Sequence, residues 1–212
     1  DTPVGGVDVS NNWGNCVVPT TSTDVDIPSG RPHNPVVSSG TANSKRLTIR
    51  SGATLTLSGG TLNVTSTSDY DCLRNFGTFT GTGGTLNTTK SFMNEGGTAT
   101  FDGSTVNVNL YLYNTDGYSS NRFFIKKGNV YGQSVPNYQG EIHHSGGTLT
   151  TGYYYREQDS GGGNYFGTGT AVFRFSGNGG YIRLKKAGTV FQNVEVNATG
   201  VNISTESEAP MD

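Results

Sequence analysis

Residues 46–108 read RLTIRSGATLTLSGGTLNVTSTSDYDCLRNFGTFTGTGGTLNTTKSFMNEGGTATFDGSTVNV, and their internal echo decides the fold. Gly60-Thr61-Leu62-Asn63-Val64 returns as Gly84-Thr85-Leu86-Asn87-Thr88 and again as Ser104-Thr105-Val106-Asn107-Val108. Thr54-Leu55-Thr56 returns as Thr78-Phe79-Thr80 and Thr98-Ala99-Thr100, and Asn75-Phe76-Gly77 is echoed by Asn94-Glu95-Gly96. The period is roughly 19–24 residues, within the range of solenoids. A unit this short cannot bury its apolar side alone and must stack on a neighbour. Inside each unit the alternation has a period of two. It sends Leu55, Leu57, Phe79, Ala99 and Phe101 inward and Thr54 and Thr56 outward. Asn75 and Asn94 fall at equivalent places near the turns and are expected to stack as a hydrogen-bonded side-chain ladder. The fold expected is all-β, a parallel β-helix.

Composition agrees. The 212 residues include 32 glycines and only 14% charged residues, which is unlike a helical or α/β enzyme. The apolar fraction is a low 32%, but the net charge of −2 and 10% aromatic content argue against a disordered chain. Short strands with many glycine turns fit better. Balanced charge removes the electrostatic case for nucleic acid or an anionic membrane surface, since Lys126-Lys127 and Lys185-Lys186 are isolated pairs. No apolar stretch approaches the ~20 residues that cross a bilayer. The chain opens at Asp1 without a leader, as a processed or excised segment would.

Working outward from the repeats, residues 1–45 read as an N-terminal cap and first coil. Asp24–Ile27 and Pro35–Val37 are its strands, and Trp13, the single tryptophan, is the expected plug over the open apolar end. Cys16 and Cys72 are the only cysteines. In an oxidising compartment their pairing would pin the cap to the third coil and stabilise it by roughly 4 kcal/mol; the alternative is two buried thiols. Residues 46–212 form the coils, with irregular insertions expected at 114–120, 131–140 and 153–165, the last two suggested by Pro136 and by the glycines at 161–163. Ala171–Phe175, Tyr181–Leu184, Val190–Val196 and Val201–Ile203 continue the strand pattern.

The string Trp13, Pro19, Asp24-Val25-Asp26-Ile27-Pro28, Pro35-Val36-Val37, Leu47-Thr48-Ile49 and Gly52-Ala53-Thr54-Leu55-Thr56 resembles the start of parallel β-helix regions in large secreted surface proteins of Bacteroidetes. Gly169-Thr170-Ala171-Val172-Phe173, Gly177, Tyr181-Ile182 and Phe191-Gln192-Asn193-Val194-Glu195-Val196 are similar to later coils of the same proteins. The entry strands are also similar, more loosely, to the G8 domain. The resemblance implies a right-handed β-helix, export to the cell surface, and membership in a long multi-domain chain serving adhesion, gliding or matrix functions. Its partners would be other copies or further domains of the same surface protein. The C-terminal sorting domain usual in such proteins is not among these residues, and neither pattern carries catalytic residues to map here.

Chemistry read from the residues is sparse. A glycosidase needs two carboxylates about 5–9.5 Å apart, yet the outward positions of the aligned coils hold Thr and Asn. Glu141, His143, His144, Arg156, Glu157 and Asp159, with Lys126 and Lys127, are the best set for a polysaccharide lyase. Asp24/Asp26 and Asp69/Asp71 are the only pairs that suggest Ca2+, and neither lies in an EF-hand or nonapeptide calcium repeat; His143-His144 is the corresponding transition-metal signal. Thr54/Thr56, Thr78/Thr80 and Thr98/Thr100 form the Thr-x-Thr arrays of ice-binding solenoids, and break at Phe123-Phe124. Asn63, Asn87, Asn197 and Asn202 match the glycosylation sequon.

The remaining signal is aromatic. Of 11 tyrosines many lie in the middle of the chain, and Tyr111, Tyr113, Tyr131, Tyr153, Tyr154 and Tyr155, with Arg156, are the candidate binding residues for polysaccharide. The alternative is that half of these rings fill the core. The function expected is a non-catalytic, extracellular structural or adhesive module, a stalk or filament subunit that needs no cofactor. The alternatives are a carbohydrate-binding module and, behind it, a polysaccharide lyase or hydrolase.

Overall fold

Alternation with a period of two and a glycine at the corners give short strands that turn and return one rung higher. In the computed structural model, which describes residues 17–67, 70–115, 117–157, 163–184 and 188–205, the chain is all-β, a parallel β-solenoid of about eight turns. The first coil is β1 (Asp24–Ile27), β2 (Val36–Val37) and β3 (Thr41–Ser44). The second is β4 (Arg46–Ile49), β5 (Thr54–Leu57) and β6 (Thr61–Val64), and the third β7 (Asp71–Asn75), β8 (Thr78–Gly81) and β9 (Thr85–Thr88). These three directions define faces A, B and C. After β10 (Ser91–Asn94) on face A the corners no longer break the strands: β11 (Thr98–Asn114) and β12 (Arg122–Asn137) each run from face B through C to A. β13 (Glu141–His144), β14 (Thr148–Glu157), β15 (Asn164–Gly167), β16 (Val172–Phe175), β17 (Tyr181–Leu184), β18 (Asn193–Val196) and β19 (Asn202–Thr205) complete the stack.

Two expected insertions, 131–140 and 153–165, are therefore strand in large part. Tyr131–Asn137 belongs to β12, and Pro136 fits because the ladder with β11 joins Tyr111 to Ser134 and Asn114 to Asn137, passing over the residue that lacks an N–H. Tyr153–Glu157 belongs to β14, while residues 158–162 lie outside the described set. The turn at 114–120 is present, but Asn114 itself is the last residue of β11.

Register is one-to-one over long columns. Thr54, Thr78, Thr98, Arg122, Glu141 and Asn164 follow one another up face B, and Thr61, Thr85 and Thr105 do so on face C. Inside, Leu55, Phe79, Ala99, Phe123, Ile142 and Tyr165 stack in one column of the core, all at most 3% exposed. The repeated glycine has a geometric cause: Gly84 turns the B–C corner at φ 71°, and a Cβ there would meet Gly59 and Gly60 carbonyls at 2.6 Å. Below, Val18, Pro19, Pro35 and Val37 border an apolar opening into the first coils. Trp13, the expected plug, lies outside the described residues.

The expected asparagine ladder exists and is longer than the two residues that announced it. Asn75, Asn94, Asn114 and Asn137 stack with 0% exposure, each Nδ2 donating to the next Oδ1 at 2.9, 3.1 and 2.9 Å. Their second N–H groups donate to the carbonyls of Thr98, Arg122, Glu141 and Asn164, which open the next strand on face B. Gly97 makes room for this, since a Cβ there would sit 2.6 Å from Asn75 Nδ2. Asn137 Nδ2 also donates to Tyr155 Oη, and Tyr155 and Thr189 both donate to Glu157 Oε1. Four aligned amides thus point their N–H ends toward a buried carboxyl group. At the other end, above Ile49, Asn75 Oδ1 has no donor. A second row on face C, Asn43, Asn63, Asn87 and Asn107, bonds amide to amide at 2.9–3.1 Å while half exposed.

Burial separates the two rows energetically. Asn94→Ala strands the Asn75 donor and the Asn114 acceptor in the core, and should lower unfolding free energy by about 2–3 kcal/mol. Asn87→Ala leaves groups that water can reach and should cost under about 1 kcal/mol. Urea titration of both variants checks the difference; equal losses would contradict the assignment of the inner row as the structural one.

Candidate binding site

Face A gathers most of the tyrosines. Tyr111, Ser134, Tyr154 and Tyr181 occupy one outward column, and Tyr70, immediately before β7, stands at its lower end. Tyr70 and Tyr111 stack at 6.2 Å and 16°, Tyr111 and Tyr154 meet at 6.4 Å and 41°, and Tyr154 and Tyr181 stack at 5.2 Å and 6°. Rungs are ~4.8 Å apart, so residues two rungs apart lie ~9.6 Å from each other at the backbone. The small side chain of Ser134 therefore lets Tyr111 and Tyr154 lean together. Tyr153, 47% exposed, stands at 64° and 68° to Tyr154 and Tyr181, so its ring is steeply inclined to theirs. Tyr70 is 67% exposed.

Beside this file runs a second column. Tyr113 carries Tyr138 edge-on at 5.2 Å, and Pro136, Arg156 and Arg183 succeed one another one coil apart. The Arg156 guanidinium lies 5.4 Å from the centre of the Tyr138 ring, a cation–π contact. Its Nε is buried without a hydrogen-bond partner. Burial, then the neighbouring Tyr111, Tyr138 and Tyr181 rings, push the Tyr154 hydroxyl well above the ordinary phenol range, so it stays a neutral donor and acceptor.

The structure keeps Tyr111, Tyr113, Tyr153, Tyr154 and Arg156 together and corrects the other two. Tyr155 is a core residue at 0% exposure, because the period of two that turns Tyr154 outward turns its neighbour inward. It packs on Tyr165, Phe173 and Phe191 and cannot meet a ligand at the surface. Tyr131 belongs to face C, where it donates to Gln133 at 2.7 Å. It reaches the edge of the file only through Gly152, where a Cβ would come 2.5 Å from its hydroxyl. Sequence reasoning missed Tyr70 and Tyr181. The echo of Tyr154-Tyr155-Arg156 in Tyr181-Ile182-Arg183 was the available signal for the second.

The candidate lyase residues do not converge. Glu141 and His143 point outward on face B, where Glu141 takes Arg122 at 2.9 Å and His143 at 2.7 Å, and His143 stacks between Phe124 and Phe166. His144 and Glu157 point into the core, Arg156 lies on face A, and Lys126 and Lys127 are exposed beyond the end of the face B stretch. Asp159 lies outside the described residues. Asp24 and Asp26 share a face as expected, and each is held by an arginine, Arg46 at 2.6 Å and Arg50 at 2.9 Å. The hydrogen bond from Arg46 holds the Asp24 carboxyl below the usual range. Asp69 is outside the described residues, and no cluster of three metal-ligating side chains occurs among those described.

The Cys16–Cys72 bridge is not formed: Cys72 is a buried free thiol, within reach of the Ser66 N–H at 3.3 Å and the Thr89 hydroxyl at 3.5 Å, and Cys16 lies outside the described residues. The Thr-x-Thr pairs stack in register over three coils and give way to Arg122 and Phe124. The sequon amides of Asn63 and Asn87 are engaged in the outer ladder. Among the described residues no helix is long and apolar enough to cross a membrane. The chain matches no model of a known protein family, no curated protein and no solved structure.

One buried titratable group sets a pH dependence. His144 donates from Nε2 to the Gly147 carbonyl at 3.2 Å, which leaves Nδ1 to accept from the Tyr165 hydroxyl. Burial lowers its pKa from 6.5 to about 4. The unfolded chain binds this proton between those values and the folded chain does not, so stability falls as pH drops from 6.5 toward 4 and is independent of this group above. The loss should reach about 3 kcal/mol. Chemical unfolding across that range should show the slope in the native chain and a flatter profile in His144→Gln.

Proposed function

We propose that this chain is a non-catalytic structural and adhesive module of an extracellular surface protein, part of a stalk or filament built by stacking coils. The observation that supports it most is continuity: a parallel ladder on three faces runs through the described residues, filled by core side chains and asparagine amides. The dispersal of Glu141, His143, His144, Arg156 and Glu157 over two faces and the core favours this reading over a lyase. Extracellular placement rests on the resemblance to Bacteroidetes surface proteins.

Size sharpens the proposal. About eight turns at ~4.8 Å give a length of roughly 40 Å, so a stalk needs further coils from the same polypeptide or from other copies. Val190, Val194 and Val196 near the upper end are 48%, 46% and 46% exposed, an apolar edge that another coil would cover. A head-to-tail contact of this kind propagates without closing. Negative-stain microscopy and sedimentation over a concentration series should show rods well beyond 40 Å that shorten in Val194→Glu. Uniform particles of single-chain length at every concentration would remove self-assembly and leave continuation within one polypeptide.

A further inference from the structure

Five of the eight arginines of this chain share one arrangement. Arg46, Arg50, Arg74, Arg122 and Arg174 each hold a carboxylate on an adjacent coil: Asp24, Asp26, Glu95, Glu141 and Glu195. Arg156 instead lies on the Tyr138 ring with Nε buried and unbonded. Past Asp102 the acidic residues among those described are Glu141 on face B, Glu157 in the core and Glu195 on face C. On face A, from Tyr111 to Arg183, the outward described positions thus offer rings, phenol hydroxyls and the cations of Arg156 and Arg183, and no carboxylate.

We propose that this face is a binding track for an acidic polysaccharide, laid along the solenoid axis across Tyr153, Tyr154 and Tyr181 with its carboxylates toward Arg156. Three observations select that occupant. The file is about one residue wide and runs along the axis, so it suits an extended chain better than a compact partner. Tyr154 and Tyr181 stack one coil apart, spaced by the 5.2 Å between their centroids, which is comparable to one pyranose unit of an extended glycan. Tyr153, steeply inclined to both and 47% exposed, supplies the ring surface on which a sugar stacks. Charge completes the match, because a uronate carboxylate meets a guanidinium there and no like charge among the described outward residues.

The inference rests on reading the module as adhesive and names what it adheres to. Native gels cast with polygalacturonate or alginate, and with neutral hydroxyethylcellulose as comparison, test it. The native chain should be retarded by at least one acidic polymer, less so at high salt, and little by the neutral one. Tyr153→Ala, an exposed substitution, and Arg156→Gln should each weaken retardation about 10-fold with unchanged circular dichroism, whereas Thr80→Ala on face B should leave it alone. No retardation by either acidic polymer, equal retardation by the neutral one, or equal binding by Tyr153→Ala would each overturn the proposal. Rod formation is read separately by sedimentation, so failure here leaves the structural reading standing.

Discussion

In-register stacking at the spacing of backbone hydrogen bonds is the constraint on which this molecule depends. Each rung repeats at ~4.8 Å, so any side chain repeated in register must interact well with its own kind at that distance. Leucine, phenylalanine and threonine do so by packing, and asparagine does so by amide-to-amide bonding with donor and acceptor both used. Placing asparagine inside is the demanding choice, because a buried amide left half-bonded would destabilise the coil. The row from Asn75 to Asn137 meets that demand by sending second N–H groups to face B carbonyls and by ending on Tyr155 and Glu157. Only its first acceptor, Asn75 Oδ1, goes unmet.

Charge obeys the same geometry. Arg46 and Asp24 are 22 residues apart, Arg74 and Glu95 are 21, and Arg174 and Glu195 are 21, each close to one coil length. Exposed pairs such as Arg46–Asp24 and Arg174–Glu195 add roughly 0–1 kcal/mol each, so their effect lies less in stability than in keeping the outer faces electrically quiet. Arg74, by contrast, reaches a Glu95 carboxylate that is only 7% exposed. Against that background the upper part of face A stands out by composition and by charge. Ser134 gives the leaning rings their space, and Arg156 puts a guanidinium beside them with no carboxylate bonded to its Nε. That strip is where the proposed binding track lies, on a surface that is regular elsewhere.

Much of this was legible in the chain itself. Period-two alternation within a repeat of about 20 residues determined a parallel solenoid, placed Leu55, Phe79 and Phe101 inside, and announced the asparagine ladder through Asn75 and Asn94 alone. These are local properties: each follows from how successive residues face a sheet and from what a rung can stack on. Tertiary structure decided what depends on neighbours 20 or more residues away. Pro136 and the tyrosines at 153–155 read locally as breaks, yet they lie in strands because the adjacent coils supply the ladder. Tyr155 had the same residue type as Tyr154 and the opposite fate, settled by which side of the rung faces Tyr165 and Phe173. The tyrosine file itself joins Tyr70, Tyr111, Tyr154 and Tyr181, which are scattered in sequence and adjacent only because stacking brings every coil's face A into one plane.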